Sequence, residues 1–460
     1  MTRGFRLALQ AMLSCSLCVT TALAGPSIYP TGVTIYDPAK AYNCYVVFGT
    51  ADGISRLIDM NGNEVHLWPY VGFPTEILDP KVIGGKRGHV LVHLDKFFND
   101  KTIAELDWDS NVVWQWGDQA PGGAVLQNHD WNRLPNGNTL VVATLTHVIA
   151  AFSDKPISDQ AIYEVSPTGN IVWKWVASDH IKEFGISAEG LNILRTVLAD
   201  GFNGVGFLTI NDMEPIGPNR WADAGDARFT PDNIVIDSRE ASFIVIIEKK
   251  TGKIVWRLGP DYPTIWRTSP RPGFGAELRQ EPVFSDTVPR PMDQTSGQHD
   301  AHIIPEGLPG SGNLLVFDNE GPSGFPTIRL SHHIGSRVLE IDPIKKEIVW
   351  QYTAEDSGQP DWAFFSAFIS SARRLPNGNT LIDEGMNGRI FQVTPKGEIV
   401  WEYVNPHLGP AIAARSEQVQ SNWVYRAQPI PYDWVPTGTP HSETPVTPPT
   451  LSDFHIPVGK

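Results

Sequence analysis

Apolar and polar positions alternate in short runs along most of this chain, and one run keeps returning. It reads Asn-Val-Val-Trp-Gln-Trp at 111–116, Asn-Ile-Val-Trp-Lys-Trp at 170–175 and Lys-Ile-Val-Trp-Arg-Leu at 253–258. It returns as Glu-Ile-Val-Trp-Gln-Tyr at 347–352 and Glu-Ile-Val-Trp-Glu-Tyr at 398–403, with a looser copy, Asn-Glu-Val-His-Leu-Trp, at 63–68. A period of two puts every second side chain on one face of an extended segment, so each copy predicts a strand; Val112, Trp114 and Trp116 would share a face. Six copies of one strand predict six copies of one folding unit.

The best-preserved unit shows four strand-like segments, 129–134, 139–144, 161–165 and 170–175. Pro-Asn-Gly-Asn at 135–138 and Ser-Pro-Thr-Gly at 166–169 supply tight turns between first and second and between third and fourth. Four antiparallel strands repeated six times predict an all-β fold, a six-bladed β-propeller. The first unit has only three segments, 42–48, 53–59 and 65–68, and 422–429 is expected to return as its innermost strand, closing the ring. The catalytic propeller is thus expected over 25–430, followed by a Pro-rich tail at 431–460.

Strand direction then divides the ring into two mouths. First strands run toward a mouth that carries all the tight turns, the turn mouth. The longer connections 145–160, 259–298 and 319–336 fall at the opposite loop mouth, where a site is expected. The 259–298 segment, with Trp266, Arg267, Phe274 and Arg279, reads as a lid.

Composition changes this picture in a few respects. Residues 1–24 have a basic start at Arg3 and Arg6, a short apolar run and Ala22-Leu23-Ala24, the pattern of a secretory signal, so a periplasmic or extracellular location is expected. No stretch is long and apolar enough for a membrane-spanning helix. A net charge of −15 argues against nucleic-acid partners. Cys44 stands alone beyond the signal, so no internal disulfide is expected there, and 15 Trp with 20 Phe supply apolar area for packing.

Aligning first strands on their turns places His129, Asp212, His299 and Ser370 at one leading position, with Asp79 as a weaker counterpart. Second-strand ends add His93, Asp95, Arg239, Asp318, Asn319, Asp383 and Glu384. Two histidines at one repeat position beside Arg239 suggest a catalytic group. Asp318 and Asp383 equally suit backbone capping. His302, at an odd offset from His299, is expected on the opposite face. Arg329, His332 and His333 lie on a long connection that reaches the loop mouth.

His129-Asp with Leu-Pro-Asn-Gly-Asn, Asp237-Ser-Arg239, Gly297-Gln-His299-Asp, Phe317-Asp-Asn319, Ser336-Arg337 and Val424-Tyr-Arg426-Ala together resemble the bacterial arylsulfate sulfotransferase family. The resemblance implies a secreted six-bladed propeller that moves a sulfuryl group between phenolic sulfate esters and phenols through a sulfated histidine, with no cofactor. It implies His129 and His299 as active-site histidines, and Arg239, Arg329 or Arg337 as donors to the sulfonate. Ser370, Asn319, Asp318 and Glu384 would line the substrate. The pattern departs from the family at Asp212 and Ser370, where histidines are expected. Two other readings therefore stand beside sulfuryl transfer. One is a calcium-assisted hydrolase or lyase using Asp212, Glu214, Asp318 and Glu384 as hard oxygen ligands. The other is a non-catalytic ligand-binding propeller.

Overall fold

The computed structural model describes residues 30–95, 101–259, 295–321, 323–325, 335–412 and 419–447, and the backbone alone at 266–270 and 278–282. Within these residues the chain forms a six-bladed β-propeller with two short helical segments of α type, Ala188–Leu198 and Arg220–Asp223. The expected signal segment, Arg329, His332 and His333, most of the 259–298 segment and the tail beyond 447 lie outside the described residues.

Blade one consists of Tyr45–Thr50, Ser55–Ile58 and Glu64–Trp68, with Val424–Ile430 paired to Tyr45–Thr50 on the channel side. The ring is therefore closed by a strand from near the end of the chain, as the missing fourth segment implied. Blade six carries an unforeseen fifth strand, Gly32–Tyr36, outside Ile399–Val404. Two boundaries also moved. The connection 145–160 is largely a hairpin, because Thr139–Val148 pairs with Pro156–Val165 along its whole length. Asp79 lies just past the short inner strand Glu76–Ile77 of blade two, where its carboxylate caps Lys81 N.

The recurrent Ile/Val-Val-Trp run has two structural roles. In every blade the register between third and fourth strands slips by one residue, and the skipped residue is the motif valine: Val65, Val113, Val172, Val255, Val349 and Val400. The motif thus encodes a bulge as well as a strand, which increases local twist and lets the blades radiate. The same bulge interrupts the expected face shared by Val112, Trp114 and Trp116.

The tryptophans stitch the ring. Trp68 Nε1 donates to Asp107 O, Trp116 to Gly169 O, Trp175 to Gly252 O and Trp256 to Pro343 O. Trp350 donates to Pro395 O and Trp401 to Met60 O, which completes the circle. Each acceptor sits in the third-to-fourth-strand turn of the next blade, so one indole buries apolar area and satisfies its N–H at a neighbour's turn.

Channel-facing strands are bulged at their loop-mouth ends. His129, Asp300, Ser370 and Arg426 have left-handed backbones, with φ of 64°, 60°, 95° and 55°. Such conformations are uncommon for residues with a Cβ and here re-aim side chains toward the axis. The bulge between His299 and His302 also resets the alternation. His302 therefore lines the channel instead of the opposite face.

Candidate active site

The axis is organised around Arg426, delivered by the closing strand. Its Nη1 lies 3.0 Å from Asp130 Oδ2, its Nη2 2.9 Å from Asp212 Oδ1 and its Nε 3.4 Å from Asp300 Oδ1. Nη2 also donates to Asn211 O at 2.6 Å. Beside it the Tyr425 hydroxyl donates to His129 O at 2.9 Å and to Asn211 O at 3.1 Å. One dipeptide from blade one therefore holds blades three, four and five from the centre. Asp130 also accepts from Met213 N and Asp300 from Ala372 N, tying each to the next blade.

This septum separates two environments. On the turn-mouth side lies a cavity of about 250 Å³ bordered by all six blades, with Glu76, Asp130, Glu214, His302 and Arg373 on its wall. Burial and the neighbouring carboxylates of Asp130 and Glu214 push Glu76 up to about 8. Burial also raises Asp130, to about 6, against the pull of Arg426. Glu214 is the opposite case: burial disfavours its charge, yet Arg373 prevails and holds it at about 2. Between pH 4.5 and 8 the folded state thus keeps a proton on Glu76 that the unfolded chain has lost, so stability declines as pH rises through that window. Glu76→Gln removes the titration. It is expected to stabilise the protein by about 2 kcal/mol at pH 8, after discounting for partial exposure, with the gain shrinking toward pH 4.5. Urea midpoints at the two pH values measure this; an equal effect at both would refute the assignment.

The other side of the septum, toward the loop mouth, holds the two expected histidines, and they differ in what remains free. His299 Nε2 accepts from Ile369 N at 3.0 Å, so its proton is on Nδ1, facing Asn319 Oδ1 at 2.7 Å and Gly297 O at 3.0 Å. Both nitrogens are occupied. His129 has Nδ1 at 3.0 Å from Asn128 Oδ1, while its Nε2 has no partner among the described residues. Burial, then Arg426 and Arg239, lower His129 to about 3, so the ring is neutral at neutral pH. Burial and Arg239 lower His299 well below its usual value, with a further contribution from His129. Arg239 pairs through Nη1 with Glu240 and has no other partner among the described residues. Phe73 packs 5.3 Å from His129 and stacks on Tyr425 at 3.6 Å, an aromatic wall beside the imidazole.

The remaining expected residues are engaged by protein groups. Asp318 and Arg337 pair at 2.8 Å, both fully buried, and Asp318 also accepts from Ser296 N. Asn319 orients His299 and donates to Ser366 O and Ile369 O. Ser370 Oγ donates to Ser366 Oγ and accepts from Gly385 N. Glu384 is held by Phe365 N, Asn387 and Arg389.

The four expected calcium ligands do not meet. Asp212 lies against Arg426, Glu214 against Arg373, Asp318 against Arg337 and Glu384 against Arg389. Glu214, Asp300 and His302 do offer ligand atoms within 4.8 Å of one another. Arg373 Nη2, however, sits 2.5 Å from both Glu214 Oε1 and Asp300 Oδ1, where a cation would be held. These donors do not fit a metal while the guanidinium is there.

The sequence reading left Asn128, Asp130, Asp300, Arg373, Tyr425 and Arg426 without roles. The repeated His-Asp pair and the Tyr-Arg of the closing strand were the available signals.

Among the described residues no helix is long and apolar enough to cross a membrane. No functionally curated protein matches the chain. Among solved structures it is similar to a protein of unknown function from Bacteroides caccae, with 12% identity and a TM-score of 0.42 over 78% of this chain and 93% of the other. It is similar to the quinohemoprotein alcohol dehydrogenase of Comamonas testosteroni, with 11% identity and a TM-score of 0.37 over 82% and 68%. A streptogramin B lyase gives 11% identity and a TM-score of 0.33 over 70% and 66%. These likenesses carry no weight for the chemistry. The arylsulfotransferase (ASST) family matches residues 103–426, which include His129, Arg239, His299 and Arg426. That match spans well over half of the chain, and the chain belongs to this family.

Proposed function

We propose that the protein transfers a sulfuryl group from a phenolic sulfate ester to a second phenol, with His129 as the group that carries it. The observation behind this reading is a neutral imidazole whose Nε2 has no partner among the described residues, in a chain of the arylsulfotransferase family. A neutral imidazole has a lone pair to offer sulfur, and covalent transfer divides one difficult exchange into two easier ones. Arg239 retains donor capacity for the sulfonate oxygens, and its planar fork suits an oxyanion. Phe73 and Tyr425 offer an aromatic surface to the phenyl ring.

His299 serves as a support and not as the nucleophile, because using its Nε2 would break the bond from Ile369 N. Asp212 is likewise a support: burial holds its carboxyl well above the usual range, and it lies against Arg426. Arg426 beside this carboxyl offsets the repulsion that it would otherwise impose on an anionic substrate.

Release of 4-nitrophenol from 4-nitrophenyl sulfate is the test. Release is expected to depend on added phenol, and intact mass after donor alone is expected to show one added sulfuryl group. Release at the same rate without an acceptor, and with no adduct, would mean a hydrolase and overturn the reading.

A further inference from the structure

The polarity of one main-chain residue determines which nitrogen of His129 is free. Ile210 N donates to Gln160 Oε1 at 2.6 Å, and Ile210 O accepts from Gln160 Nε2 at 3.2 Å. A backbone N–H cannot accept and a carbonyl cannot donate, so the Gln160 amide has one possible orientation. The same Nε2 donates to Asn128 Oδ1 at 2.9 Å, which orients the second amide. Asn128 Nδ2 agrees, since it reaches Thr144 Oγ1 at 2.6 Å, and that hydroxyl donates onward to Val205 O at 2.9 Å. Asn128 Oδ1 is therefore an acceptor, and the His129 Nδ1 opposite it at 3.0 Å must hold the proton.

We propose that Gln160 and Asn128 form a positioning relay, anchored on the Ile210 backbone, that holds His129 as the Nδ1–H tautomer and so presents Nε2 to the sulfonate. The catalytic half of this inference rests on the proposed sulfuryl transfer; the tautomer half does not. In the first step the Nε2 lone pair forms the N–S bond while the S–O(aryl) bond breaks, and the phenolate leaves with that electron pair. The positive charge of the sulfated ring is shared with Nδ1–H, whose bond to Asn128 Oδ1 strengthens as charge develops. In the second step the acceptor oxygen forms the O–S bond, the N–S electrons return to Nε2, and the acceptor's proton passes to the departed phenolate. No oxidant or further reagent enters.

An amide suits this position better than the carboxylate that commonly orients a histidine. The charged and titratable groups around His129 are Arg426 and Tyr425 from the closing strand, Arg239 from blade four and His299 from blade five. A carboxylate at 128 would favour imidazolium in their midst and protonate the attacking lone pair.

The deciding measurement is ¹⁵N NMR of the full chain labelled at histidine, with His129 assigned by its loss in His129→Asn. At pH 7 the wild type is expected to show a protonated Nδ1 and a bare Nε2; a protonated Nε2 would overturn the relay, whatever the protein does to arylsulfates. Asn128→Asp is nearly isosteric and, checked by an unchanged melting profile, is expected to move the acid limb of kcat/KM up by about two pH units. With His129 starting from about 3, the variant's kcat at pH 4 should fall by about tenfold relative to wild type and recover as pH rises toward 6, with donor KM little changed. An acid limb that stays in place in a folded Asn128→Asp protein would also overturn the proposal. Failure of the wild type to transfer sulfuryl groups would remove the proposed function alone, since the tautomer is read without turnover.

Discussion

His129→Asn is expected to lower acceptor-dependent arylsulfate turnover by about 10²–10⁴-fold and to abolish the covalent adduct. Asparagine tolerates the left-handed backbone at this position, where φ is 64°, so the loss reports chemistry and not a broken strand. The companion variant is His299→Ala. It strands Ile369 N–H and Asn319 Oδ1 in a buried setting, at a cost of about 1–3 kcal/mol for each lost partner. It is therefore expected to unfold more readily while still forming adduct whenever folded. Intact-mass measurements on both variants, at temperatures where both are folded, separate the roles. An adduct retained in His129→Asn and lost in His299→Ala would reverse the assignment and leave the free Nε2 of His129 without a function.

Arg426→Met is expected to cost about 3–5 kcal/mol of stability at pH 8, because it leaves Asp130, Asp212 and Asp300 buried around an absent cation. The pH dependence discriminates this from loss of packing. Even with Arg426 present, Asp130 is raised to about 6 and Asp212 lies well above its usual value. Without the guanidinium both move higher still. The folded variant then binds protons that the unfolded chain does not, so its stability rises as pH falls. Urea midpoints of wild type and variant should thus converge toward pH 5 and diverge toward pH 8. A deficit of the same size at both values would show that Arg426 acts through its shape alone. The same reasoning explains why the closing strand matters beyond its seam with Tyr45–Thr50: its hydrogen bonds secure blade one, but its Tyr425 and Arg426 hold blades three to five.

Legibility differed by feature for identifiable reasons. The Trp run was visible because a strand and its hairpin are local, and in each blade an indole also reaches the next blade's third-to-fourth-strand turn. The missing segment of unit one and its return, expected at 422–429 and found at Val424–Ile430, were visible because an incomplete repeat leaves one slot to fill. His302 was assigned to the wrong face because period-two counting cannot anticipate a bulge marked only by an Asp300 backbone of φ 60°. Asp318 and Arg337 looked like ligands for a substrate; they neutralise each other across adjacent strands, a pairing that no spacing along the chain announces.

What the amino-acid order alone determined is the ring: its all-β class, its blade number and its closure by a late strand. Those follow from periodicity and turn chemistry, which act over a few residues at a time. Only the tertiary structure decided which polar groups stay available. His299 and His129 share a motif, yet Ile369 and Asn319 saturate one while the other meets Asn128 through Nδ1 and has an Nε2 without a partner among the described residues. Availability depends on donors and charges brought from distant blades into a water-poor channel, where each neighbour shifts a proton or closes a lone pair, and that is a property of assembly and not of order along the chain.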